Sequence, residues 1–162
     1  MKTIGHELLG ELAAKAEASP RRRAHFNLHE SLSDDIHRLC IAAAPDTYIR
    51  PHRHSLPGRW ELLAVLSGSA TVFAFAADGV VADRVELGPD GGARALELEE
   101  NLFHCFVANG EGTAVLEVKR GPYVPTPESD FAPWAPPEGD AAALAFLERL
   151  RTAKPGDNVA PK

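Results

Sequence analysis

Cysteine is nearly absent: the 162-residue chain has two, Cys40 and Cys105, far apart and each flanked by apolar residues. That count excludes a disulfide framework and reads as two free, buried thiols in a reducing compartment. Long apolar runs are missing too, and none nears the roughly 20 residues that a membrane-spanning helix needs. The start, Met1-Lys2-Thr3-Ile4-Gly5-His6-Glu7, lacks the basic-then-apolar order of a secretion signal. Together these absences predict a cytoplasmic protein with no membrane partner. Positive charge is also in short supply: 17 Lys and Arg face 23 Asp and Glu, for a formal net charge of −6. Without a basic block long enough to neutralise a row of phosphates, nucleic acid is excluded as a partner. Internal repeats of solenoid period are absent. What remains, 44% apolar and 25% charged residues, is an ordinary globular mixture of single-domain length.

Residues 3 to 18 space Ile4, Leu8, Leu9, Leu12, Ala13 and Ala16 three and four apart, which predicts an amphipathic helix that Ser19-Pro20 stops. The stretch from Arg21 to His29 is mixed in character and reads as an ordered connector. From Ile36 to Arg120 the pattern becomes short β-branched and aromatic runs. They cover 36–42, 47–51, 60–66, 70–75, 80–87, 94–98, 104–108 and 113–119. Turn residues divide the runs: Pro57-Gly58, Ser67-Gly68, Asp78-Gly79, Pro89-Asp90-Gly91-Gly92 and Asn109-Gly110. The expectation is an all-β sandwich or small barrel of consecutive antiparallel strands. Beyond it a Pro-rich passage, 121–139, carries Tyr123, Phe131 and Trp134 and is expected to lie on the barrel. A last helix over 141–153, capped by Asp140, turns Ala143, Leu144, Phe146, Leu147 and Leu150 to one side. The division expected is 1–30 for helix and connector, 31–120 for the β-barrel, and 121–162 for the Pro-rich segment and final helix.

The segment Tyr48-Ile49-Arg50-Pro51-His52-Arg53-His54 carries the chemistry. In extended chain, side-chain direction repeats every two residues, so His52 and His54 share a face with Arg50 and Tyr48. Pro57-Gly58 turns the chain and Glu61 can return a carboxylate to the two imidazoles. His104 opens a later run with Phe106 and Ala108 on its face. Three imidazoles and one carboxylate suit one divalent transition metal, such as zinc, iron, manganese or nickel, with open positions for water or substrate. Arg50 is placed to clamp a carboxylate or phosphate. Glu117 and Lys119 share one strand face, and Ala114, Leu116 and Val118 the other; parity leaves open which face enters the cavity.

The set His52-x-His54, Glu61 and Gly68 resembles the first motif of the cupins, with six residues between His54 and Glu61 where the family has three or four. The second cupin motif ends Pro-x-Gly-x-x-His, against Glu99-x-Asn101-x-x-His104 here. Both Pro and Gly are replaced, and Asn is the substitute that best tolerates a left-handed turn. More narrowly, Tyr48 to His54, Glu117-Val118-Lys119-x-Gly121-Pro122-Tyr123 and Phe131-Ala132-Pro133-Trp134-Ala135-Pro136 resemble the WbuC-family cupin metalloproteins, with Asn27-x-His29 and Arg38 fitting the amino-terminal pattern. The likeness covers roughly residues 21 to 139. It implies a cupin-type barrel or jelly roll, a metal held by His52, His54, Glu61 and His104, and a substrate surface including His29, Arg38 and Tyr123. It also points toward bacterial O-antigen (lipopolysaccharide) gene clusters, without a settled reaction.

The leading expectation is a metal-dependent isomerase or epimerase acting on a small polar or anionic, sugar-related molecule. In it Arg50 holds the negative group, and Tyr48, Glu117 or Lys119 moves the proton. A non-haem iron dioxygenase uses the same ligands. A non-catalytic, metal-dependent sugar-binding accessory protein is the third reading. His25 and His29, four apart, are read as surface or substrate-contact residues, and His6 and His37 as ordinary packed or exposed histidines. The amphipathic first helix and open strand edges predict a homodimer.

Overall fold

The structure is a computed structural model and describes residues 1–90 and 92–161, so Gly91 of the expected turn 89–92 and the terminal Lys162 lie outside the described residues. Helix α1, His6–Ala18, presents Leu12 and Ala16 to the sheet below it and ends at an extended Ser19. Strands β1 (Arg23–Asn27), β2 (Ile36–Ala43), β3 (Glu61–Ser67), β4 (Ala70–Phe75), β5 (Val81–Leu87), β6 (Ala95–Leu98), β7 (Phe103–Ala108) and β8 (Thr113–Arg120) follow. A 3-10 turn over Glu128–Asp130 and helix α2, Ala143–Thr152, complete the chain.

The strands form two antiparallel sheets, ordered β1-β2-β8-β3-β6 and β5-β4-β7. Among the described residues consecutive strands pair only in β1–β2 and β4–β5; every other ladder joins strands distant in sequence, which corrects the expectation of successive hairpins. The connections β3–β4, β5–β6, β6–β7 and β7–β8 pass from one sheet to the other. At the first, Gly68 holds φ = 64° and lies so close to Thr113 that a Cβ would sit 2.9 Å from the Thr113 Cα. This is a two-sheet sandwich of jelly-roll type with no closed barrel among the described residues.

Alternation within the strands sorts the core into three layers. Leu63, Val72, Leu87, Phe106 and Val115 meet between the sheets. Under α1, Leu12 and Ala16 cover Cys40, Ala42 and Ala114 on the outer face of the larger sheet. Under α2, Phe146, Leu147 and Leu150 cover Phe73, Phe75 and Val107 on the outer face of the smaller one. Both cysteines are buried and free. Leu144 is the exception on α2: it is 60% exposed, off the apolar side assigned to it. Asp140 does not cap α2 directly; its carboxylate accepts a hydrogen bond from the N–H of Ala142, two residues on, which holds the N-cap position without a side-chain cap.

Two local expectations are corrected. The connector at 21–29 contains β1, an edge strand paired with β2 from Arg23↔Ala43 to Asn27↔Leu39. The run 47–51 has no strand partner, although it leads into His52, which makes single bridges with His104 and Phe131. The Pro-rich passage lies on the sandwich as expected: Trp134 packs on Phe75, and Ala132 and Ala135 are buried.

Candidate metal centre and its cavity

Side-chain direction along β8 settles the question that parity left open. Ala114 and Leu116 pack beneath α1, so Glu117 and Lys119 face inward. They meet Glu61 there, because β8 pairs with β3 at Glu61↔Lys119. Lys119 Nζ donates to Glu61 Oε1 at 3.0 Å and stands 2.7 Å from Glu117 Oε1.

Above this chain of charges three imidazoles converge. His52 and His104 exchange main-chain hydrogen bonds of 3.0 and 2.8 Å, which bring their ring centroids to 4.7 Å. His54 is held by its carbonyl, which accepts from Asn101 N–H at 2.9 Å. Asn101 takes φ = 62°, the left-handed turn that its place in the second motif requires. One nitrogen from each of His52, His54 and His104 lies within 4.8 Å of the others, so the three can hold one metal ion.

The donor chemistry fits a divalent transition metal. His52 Nδ1 lies 3.0 Å from the Arg50 carbonyl and His104 Nδ1 2.8 Å from the Leu102 carbonyl. A carbonyl only accepts, so both Nδ1 atoms carry a proton and both Nε2 atoms face the cluster, the nitrogen that a metal-ligating histidine offers once its own proton is gone. Burial first, then the His104 charge, pushes His52 down to about 3, which keeps its imidazole neutral. His54 Nε2 is buried and stands 2.8 Å from Glu61 Oε1. Glu61 Oε2 lies 3.0 Å from His104 Nε2. Burial alone raises Glu61, but His104, His54 and the Lys119 charge outweigh it and hold the carboxyl well below the usual range. Burial and then Glu61 push Glu117 up, against Lys119.

The cluster opens into a cavity of about 440 Å³ between the sheets. His29 and Tyr123 line it, with His29 buried and Tyr123 53% exposed. Arg38 does not line it; its guanidinium sits half in solvent, 4.0 Å from Asp34. Arg50 reaches the cavity wall, but its donors are engaged with the carbonyls of Ala135 and Ala132 and with Glu128. Tyr48 lies in the core beneath α2, away from the cavity, and its hydroxyl donates to the Pro136 carbonyl at 2.8 Å. Arg50 and Tyr48 thus grip the Pro-rich segment rather than an open ligand position.

Two contributors escaped the sequence reading, Asp130 and His37. Asp130, buried in the Pro-rich segment, accepts from Ser55 N–H and Oγ–H at 3.2 and 2.9 Å and so fixes the loop after His54. Nothing in its local sequence marks it beyond its place beside the Phe131 motif. His37 lines the cavity with its ring stacked 4.1 Å from that of His29. His25, read from the sequence as a surface or substrate-contact residue, lines it from β1.

A family model described as a domain of unknown function, DUF6016, matches residues 4–87, more than half of the chain. The chain belongs to this family. The DUF6016 match runs from the start of α1 to the end of β5, taking in His52, His54, Glu61 and Gly68 and stopping short of His104. No curated protein matches this DUF6016 member in sequence. Among solved structures it is similar to KdgF from Halomonas sp., with 16% identity over 65% of this chain and 84% of that one and a TM-score of 0.51. It is similar to a cupin superfamily protein from Desulfitobacterium hafniense, with 16% identity over 67% and 86% and a TM-score of 0.50. A protein from Thermus thermophilus shares 17% over 74% and 97%, with a TM-score of 0.52. At such identities the likeness establishes the fold: this DUF6016 chain is a cupin-type β-sandwich.

Proposed function

We propose that the protein is a cytoplasmic, metal-dependent cupin enzyme that moves a proton on a small polar or anionic, sugar-related metabolite, as an isomerase or epimerase does. The observation that carries this reading is the meeting of the three-imidazole cluster with the buried Glu61–Lys119–Glu117 chain on one cavity wall. Held by His52, His54 and His104 beside Glu61, a divalent zinc, iron, manganese or nickel ion supplies Lewis acidity for a carbonyl or hydroxyl oxygen. Glu117 takes and returns the proton. Lys119 holds Glu117 in place by its 2.7 Å contact and compensates its charge. Arg50 and Tyr48 position the Pro-rich segment that covers the site.

Residues from separated WbuC-like motifs, Asn27, His29, Glu117, Lys119, Tyr123 and Phe131, line the same cavity, which supports a role in bacterial surface-polysaccharide (O-antigen) biosynthesis. The exposed Phe26, Leu32 and Ile36 around the β1 edge support a homodimer.

The test is incubation of the metal-loaded protein in D2O with a panel of hydroxy acids, sugars and nucleotide sugars, with NMR detection of exchange at carbon. Exchange that is catalysed by the parent and falls at least 100-fold in Glu117→Gln supports the reading, on the scale that a positioned acid or base contributes. Oxygen consumption without exchange overturns it in favour of an iron dioxygenase. Saturable binding with neither overturns it in favour of an accessory binding protein.

A further inference from the structure

The cavity has a second pole, remote from the imidazole cluster. Register places Glu61, Lys119 and His37 side by side on β3, β8 and β2, and the ring stack continues the row to His29, just beyond β1. At the usual strand spacing this row runs about 14 Å from Glu61 to His29. His29 ends it with an uncommitted ring nitrogen. Its Nδ1 lies 3.1 Å from the Arg38 main-chain nitrogen and 3.0 Å from the Arg38 carbonyl oxygen, so either ring nitrogen can carry the proton, and the tautomer that accepts from the Arg38 N–H presents Nε2–H to the cavity. That Nε2 is buried and has no hydrogen-bond partner, in a residue 6% exposed that lines the cavity. A buried polar atom left alone costs free energy comparable to a lost hydrogen bond, so an unmet ring nitrogen on a cavity wall points to a ligand atom that meets it.

Charge says what kind of atom. Every second residue from Arg21 to His29 lines the cavity: Arg21, Arg23, His25, Asn27 and His29. Arg21 and Arg23 share one carboxylate, Glu138, which leaves one positive charge in excess at this end. At the other end Glu61 and Glu117 share one cation, Lys119, which leaves a negative charge in excess beside the three imidazoles, as a site for a divalent cation needs. Leu39, Ile49 and Phe131 add apolar surface to the lining.

We propose that β1 and His29 form an anion-recognising subsite, so that the substrate is a two-ended molecule: one end goes to the metal cluster, and a carboxylate or phosphate at the other end receives the His29 Nε2–H. The proposal rests on the metal-site reading above and narrows its substrate class to elongated molecules anionic at the end away from the metal.

The experiment titrates the manganese-loaded protein with straight-chain α,ω-dicarboxylates from succinate to sebacate, and with monocarboxylates of equal length, by calorimetry. Metal content and circular dichroism are measured on the same samples. The parent is expected to prefer the best dicarboxylate, one of at least six carbons, over its monocarboxylate by about 10-fold or more, the worth of a hydrogen bond to a charged group. His29→Phe, which keeps a ring to stack on His37 but has no nitrogen, is expected to bring that preference below about 2-fold while metal content stays at the parent level. His29→Gln, whose amide can accept from Arg38 and donate as Nε2 does, is expected to keep it. A metal-bound parent with no preference, or a preference that survives in His29→Phe, overturns this proposal alone. A parent that takes up no metal overturns both this proposal and the metal-site reading. Should His29→Phe fail to fold, the parent's preference and its dependence on chain length still decide the matter.

Discussion

Asn101 stands where the cupin pattern carries glycine, and it takes the glycine's conformation, φ = 62°. An L-residue other than Asn or Gly in that region costs about 1–2 kcal/mol. Asn101→Val is therefore expected to lower stability by about that amount in denaturant unfolding, while Asn101→Gly leaves it unchanged or raised. The same main chain holds His54, so Asn101→Val is also expected to weaken metal retention. Glu138 makes a second residue-scale prediction. Burial raises its carboxyl, but Arg23 and then Arg21 outweigh burial and hold it below the ordinary value. The contribution of such a group is present above the unfolded value, about 4.3, and is lost as pH falls through the lower folded one. Glu138→Gln is expected to destabilise the protein by about 1 kcal/mol at pH 7, after screening by water, and thermal melts of the two proteins are expected to converge as pH falls below the ordinary carboxylate range. A difference that stays constant with pH contradicts the assignment.

At the scale of elements, α2 separates its leucines sharply. Leu150 is wholly buried against the small sheet, and Leu144 is 60% exposed. Leu150→Ala is expected to cost about 2–5 kcal/mol and Leu144→Ala less than about 0.5 kcal/mol in chemical unfolding. The sequence pattern had grouped the two because three- and four-residue spacing finds a helix face without saying how wide the covered part of it is. Strand β1 escaped for the opposite reason. Its inward residues Arg23, His25 and Asn27 are polar because they face a polar cavity, and Phe26 on its other side is exposed, so the alternation that marks a strand is missing. The run 47–51 did alternate, but Tyr48 and Arg50 turn to the Pro-rich segment instead of a neighbouring strand. Strands with apolar inner faces, such as β4 and β7, were legible nearly to the residue.

At the scale of the whole molecule, short motifs named the cluster before the fold was in view: His52-x-His54, Glu61 and His104 come together from β3, β7 and the loop ahead of β3. The order of strands in the two sheets was not legible, since turn residues mark where a strand ends and not which sheet the next one joins. Nor were the contributions of Asp130 and His37, which depend on contacts across the fold. The exposed apolar residues at the β1 edge lead to a homodimer as the expected mass in light scattering at micromolar concentration, and a monomer there removes that part of the account. Among the described residues no helix is long and apolar enough to cross a membrane. The central claim is the metal centre, and elemental analysis tests it most directly, on protein purified without chelator or metal-affinity tag, beside His52→Ala and His104→Ala. The account predicts one equivalent of a divalent transition metal per chain, lost in both variants while circular dichroism shows them folded. A folded parent that holds no metal, even after reconstitution with zinc, iron, manganese and nickel in turn, contradicts it.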